Sequence, residues 1–160
     1  MSRSEILVGF DSSPAGRAAL SWAADHARRT GTPLRAVHVE SWPEGVAVDS
    51  LAAHEVREVS VDQLEAAHLH SVSRLFDEIR PQRDWLLQVV SGEPGPALVG
   101  QSTDAALLVL GAPSHHGLNR LLAGSVAHYC FNHATCPVAI VPADAAPSGF
   151  SGESAHEAST

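Results

Sequence analysis

The residues best suited to chemistry lie between Leu110 and Val126, where Gly111, Gly117 and Gly124 are interleaved with Ser114, His115, His116, Arg120 and Ser125. Glycines let a backbone approach a ligand closely, and the free N–H groups of a helix start favour an anion. Ser125 adds a hydroxyl donor at that start. Such a stretch can cradle a phosphate, yet glycine-rich turns are common in ordinary αβ loops, and residue types alone leave the two readings level. The stretch is neither a P-loop nor a dinucleotide fingerprint, since it has no Gly-Lys-Ser/Thr and no Gly-x-Gly-x-x-Gly. A second polar cluster, Asp11, Ser12 and Ser13 before Pro14, ends the first apolar run. It can supply a carboxylate to a ligand or simply cap a helix.

Charge distribution favours an anion in the same stretch. The 160-residue chain carries a formal charge of −8, which argues against a nucleic-acid partner. Residues 105–143 nevertheless contain no Asp or Glu, and Arg120 is their one cation beside His115, His116, His128 and His133. An acid-free segment in an acidic protein is where an anion is least repelled. Buried strands, which exclude charges of either sign, account for part of it; the polar loop is left to the ligand. Arg120 is the better phosphate candidate there, and the paired histidines read more simply as solvated.

Other candidates read as structure. His128, Cys130, His133 and Cys136 have ligand-like types, but Cys136 belongs to a turn before a strand and there is no Cys-x-x-Cys pair, so no metal site is expected. His38 interrupts an apolar strand and reads as a partly buried, hydrogen-bonded residue, not a catalyst. Trp22, Trp42 and Trp85 read as packing. No nucleophile has an assignable base, so no catalytic residues are expected.

The elements that must hold these residues alternate along the chain. Strands are expected over 6–10, 34–39, 85–90, 105–110 and 138–141. Helices are expected from Pro14 to about Thr30, with Ser13 as N-cap and Gly31 as C-terminal stop, over roughly 49–80 up to Pro81, from Pro96, and over about 124–133. Residues 41–48 and 111–123 read as loops. This alternation implies a parallel five-stranded sheet with helices on both faces, and ligands beyond the carboxyl ends of its strands, near Asp11, Val39 and Gly111. One domain suits the length, which buries roughly 70% of the unfolded surface. Residues 143–160 lack periodicity and are expected to be a disordered tail. Two cysteines are too few for a disulfide framework, residues 2–5 lack a signal-peptide pattern, and no apolar run approaches the roughly 20 residues of a membrane span. A cytoplasmic protein without a membrane partner is the simplest expectation.

Taken together, the motifs resemble the universal stress protein family, in its ATP-binding branch. Members carry Gly, two residues, Gly, nine residues, then Gly-Ser or Gly-Thr; this chain has Gly111, then Ser114 in place of the second glycine, then Gly124-Ser125. The opening run from Ile6 to Pro14, the Val37-His38-Val39 segment and the closing Cys136-Pro137-Val138-Ala139-Ile140-Val141 are similar as well, so the likeness spans about residues 4–142. It implies a domain over 1–142 with a three-layer α/β sandwich of the adenine nucleotide alpha hydrolase-like, Rossmann-like kind. It also implies ATP as ligand, with Mg as its candidate companion, and without a P-loop lysine or a clear general base at most weak ATP hydrolysis is expected. By the same likeness Asp11 approaches nucleotide or metal, Val39 meets adenine through its backbone, and Gly111, Gly124, Ser125 and Val126 hold ribose and phosphates. Gly9 and Leu110 line the site, and Ser114, preceded by Pro113, weakens it. The implied role is a regulatory protein of the stress response, homodimeric through its last strand. The alternative is a nucleotide-free dimeric interaction module.

Overall fold

The apolar runs pair into one sheet that buries its central strands most fully. The computed structural model describes residues 5–41, 61–113 and 124–145. Among them the strands are β1 (Ile6–Gly9), β2 (Leu34–Glu40), β3 (Leu86–Ser91), β4 (Leu107–Ala112) and β5 (Val138–Pro142). They form a five-stranded sheet in the order β3-β2-β1-β4-β5, with every neighbouring pair parallel. The central β1 is buried at all four positions. The helices are α1 (Pro14–Thr30), α2 (Val61–Glu78), α3 (Pro94–Gln101) and α4 (Ser125–His133).

Side-chain alternation divides the core in two. Ile6, Val8, Phe10, Ala36 and Val109 pack with Ala19, Leu20, Ala23 and Ala27 of α1 and with Val72, Leu75 and Phe76 of α2. Leu7, Val37, Leu108 and Leu110 point the other way, against Leu98 of α3 and Ala127 and Cys130 of α4. The result is a three-layer α/β sandwich. Among the described residues no helix is long and apolar enough to cross a membrane.

Local chemistry sets the ends of α1 as its sequence implies. The Ser13 side chain accepts from the Gly16 N–H at 3.0 Å, Pro14 opens the helix, and Gly31 closes it at φ 64. Arg28 then ties α1 to the end of α2. Its guanidinium donates to the Ile79 and Arg80 carbonyls and lies 5.0 Å over the Trp85 ring.

Three elements shift by two residues from their expected boundaries, and the other described boundaries by at most one. The third helix starts at Pro94, not Pro96, because the first-turn N–H groups have no helical partner and a proline costs nothing there. The fourth strand lies over Leu107–Ala112, not 105–110, because its register is set by β1, with Ile6 opposite Leu107. Gly111 therefore sits in a strand and not in the loop after it. The second helix ends at Glu78, because Pro81 disfavours a helical conformation at the residue before it, and Arg80 there takes a left-handed φ of 52. Its expected start at 49, the loop over 42–48 and the tail beyond 145 lie outside the described residues.

Candidate functional site

The strand order reverses beside β1: the chain moves from β1 to β2 and β3 on one side, then returns to β4 on the other. Crossovers on opposite sides leave a crevice at the carboxyl ends of β1 and β4, the place where such sheets bind ligands. A cleft of about 150 Å³ lies there, and Gly9, Asp11, Val39, Leu110, Gly111 and Val126 help to line it.

Glycines make this crevice possible by letting elements close on one another. A Cβ on Gly111 would overlap the Ala15 carbonyl, and one on Gly9 would stand 2.7 Å from Leu98 Cδ1 and 2.9 Å from Leu110 Cδ2. A Cβ on Gly16 would likewise overlap Asp11. The first turn of α1 thus packs directly on the strand ends, and Ala15 and Gly16 join the cleft wall. Sequence reasoning missed that pair. Its signal was the short Asp11-to-Gly16 link, which leaves the helix start no room to move away.

Asp11 serves the fold and faces the cleft at once. Its Oδ1 accepts from the Ser13 N–H at 3.0 Å and from the Ser13 hydroxyl, while Ser13 Oγ caps α1. The carboxylate is exposed and lines the cleft. Helix capping and ligand contact were alternatives in the sequence; the geometry accommodates both.

Gly124 and Ser125 stand at the start of α4 and are not among the cleft-lining residues; their neighbour Val126 is. Gly124 is the N-cap at φ −48 and ψ 157 and offers no side-chain hydrogen bond, which leaves the first N–H groups of α4 without a capping side chain. A Cβ there would lie 3.5 Å from Pro113 Cδ, an ordinary contact. The exit of β4 and the start of α4 are therefore neighbours across the intervening loop. Ser114, His115, His116 and Arg120 lie outside the described residues.

The remaining candidates separate from the cleft chemistry. Cys130 and Cys136 are buried free thiols. Burial pushes the Cys130 thiol up to about 11, with the neighbouring Cys136 adding to the rise. The His133 ring donates from Nδ1 to the Tyr129 carbonyl at 2.8 Å and stacks on Tyr129. Among the described residues no group of three or more His, Cys, Asp or Glu could hold a metal ion. A single carboxylate with phosphate oxygens is nevertheless the usual protein share of a Mg site, which Asp11 fits.

Comparison with known proteins places these features in context. The profile of the Universal stress protein family matches residues 3–142. A universal stress protein of Mycobacterium tuberculosis is 34% identical over 137 residues, covering 84% of this chain and 44% of the relative. The chain spans about half the length of the curated relatives it matches. Among solved structures, universal stress protein UspA from Lactobacillus plantarum superposes with a TM-score of 0.62 at 25% identity, covering 88% of this chain and 99% of that one. The universal stress protein from Archaeoglobus fulgidus in complex with dAMP superposes at 0.55 with 22% identity, covering 88% and 99%.

Proposed function

From the premise that the chain belongs to the universal stress protein family, we propose that it binds an adenine nucleotide, ATP with Mg, in the β1–β4 crevice and acts as a regulatory protein of the stress response, not as an enzyme. One observation carries this reading: six of the residues that the sequence singles out, Gly9, Asp11, Val39, Leu110, Gly111 and Val126, line one cleft at the switch point. The Archaeoglobus fulgidus relative was solved with dAMP, which supports the same ligand class here.

The chain's own groups divide the work. The backbone at Val39 offers adenine its hydrogen bonds at the end of β2. Asp11 meets the ribose or the metal. The Gly111 backbone and the uncapped start of α4 at Gly124, Ser125 and Val126 receive the phosphates, where the helix dipole favours negative charge. Ser114 replaces the more permissive glycine in the loop between them. Among the described residues the Ser13 hydroxyl beside Asp11 is spent on capping α1, so turnover stays slow or absent. The protein works in the cytoplasm as a homodimer through β5.

Purified protein, assayed for co-purified nucleotide and titrated with ATP, ADP and AMP, tests the reading. Saturable ATP binding supports it, and no binding of any of the three removes it. A second reading draws on the surface: Phe131 on α4 is 67% exposed and Ile140 on β5 is 37% exposed. Such residues suit a dimeric interaction module without nucleotide, and a stable dimer that takes up no nucleotide would select it.

A further inference from the structure

A buried histidine needs a partner on both ring nitrogens. His38 on β2 is only 5% exposed and has both. Its Nδ1 lies 2.9 Å from the Phe10 carbonyl oxygen, and its Nε2 lies 2.8 Å from Nε2 of His68 on α2. A carbonyl oxygen can only accept, so His38 Nδ1 carries the proton. In the neutral ring its Nε2 is then an acceptor, and His68 Nε2 must donate. The bonds run one way, from α2 through His38 to the backbone just after β1.

The end of that chain is the peptide that delivers Asp11. β1 stops at Gly9, so the Phe10 carbonyl lies past the last ladder position, while the Phe10 N–H donates to the Val37 carbonyl at 3.1 Å. With the His38 bond, both polar groups of Phe10 are tied to β2. The hydrogen bonds of the Asp11 carboxylate go to Ser13, which fixes it to α1 but not to the sheet. Gly9 and Asp11, on either side of Phe10, both line the cleft.

We propose that His38 is a positioning residue for the nucleotide cleft: its Nδ1–H holds the Phe10 carbonyl and so aims the Asp11 turn, and His68 backs the ring by donating to its other nitrogen. The proposal rests on the adenine-nucleotide reading of the cleft. It makes α2 a structural partner of the site without touching ligand.

Asparagine places its amide nitrogen where histidine places Nδ1, so His38→Asn keeps the Phe10 bond and drops His68, while His38→Leu drops both. ATP titration of folded variants should give His38→Asn within about threefold of wild type and His38→Leu about tenfold weaker, the scale of one lost hydrogen bond. Histidine ¹⁵N spectra of the wild type should give the Nδ1–H tautomer for His38 and the Nε2–H tautomer for His68, with a coupling across the N–H···N bond. In His68→Ala the His38 ring should keep the Nδ1–H tautomer, because the Phe10 carbonyl can only accept, and should lose the coupling. Wild-type affinity in folded His38→Leu overturns the proposal, as does an Nε2–H tautomer for His38. Should the wild type bind no adenine nucleotide, the reading of the cleft fails by itself. The Asp11 amide resonance then decides the present point: unmoved in His38→Asn and displaced in His38→Leu upholds it, and unmoved in both overturns it.

Discussion

Gly111 sits so close to Ala15 that any Cβ at position 111 would overlap the Ala15 carbonyl. A backbone obstacle cannot be relieved by a rotamer change, so the start of α1 must shift or the strand must bend. Gly111→Ala should lose about 1–3 kcal/mol of stability, the usual cost of overpacking. Urea denaturation followed by circular dichroism checks it, and an unchanged midpoint would mean that α1 yields freely.

Gly124 behaves differently, since its φ of −48 suits any residue and a Cβ there meets Pro113 at an ordinary 3.5 Å. Gly124→Val should keep its melting temperature within a few degrees and weaken ATP binding at least about tenfold, because the added bulk would stand at the proposed phosphate end of the site. Calorimetric titration beside a thermal melt reads both. Equal affinity in the folded variant would move the phosphates away from α4.

Cys130 links stability to pH. Burial, with Cys136 as the second cause, raises its thiol from 9.0 to about 11, so the folded protein holds this proton more tightly than the unfolded chain does. Its contribution is complete below about 9 and is lost as pH climbs through about 11. Cys130→Ala should therefore show a shallower loss of stability than wild type over that alkaline range. It should be less stable than wild type at neutral pH, where the sulfur's packing is missed. Parallel slopes in urea titrations would exclude the linkage. Native Cys130 should also resist iodoacetamide at neutral pH.

Edge pairing through β5 depends on which N–H groups face outward. Leu108 donates to the Pro137 carbonyl at 2.9 Å and Ala143 donates to the Ala112 carbonyl at 3.0 Å. Alternation along a parallel ladder then turns 139 and 141 inward to β4, and 138 and 140 outward. Pro142 falls on the outward set, where its missing N–H costs the sheet nothing. Ile140→Pro should abolish the proposed homodimer with the monomer fold intact, whereas Ala139→Pro should damage the β4–β5 ladder itself. Light scattering at micromolar protein, with circular dichroism as the control, separates the two; a dimer that survives Ile140→Pro uses another surface.

The sequence by itself determined the elements and their succession. Ser13, Pro14 and Gly31 mark α1 by local capping chemistry, and apolar runs such as residues 105–110 announce buried strands whatever they pair with. The spacing of Gly111 and Gly124-Ser125, with Asp11 ahead of them, was also legible, because a motif is a local property of the chain. Tertiary structure alone decided which strand ends meet. The order β3-β2-β1-β4-β5 brings Asp11, Val39 and Gly111 to one cleft, and the register with β1 draws Gly111 into β4. His38 was legible as partly buried and hydrogen-bonded, yet its partners Phe10 and His68 stand 28 and 30 residues away. The inward and outward parity of β5 likewise depends on bonds to β4. Such contacts follow from sheet register and helix docking, which long-range packing sets and local periodicity does not encode.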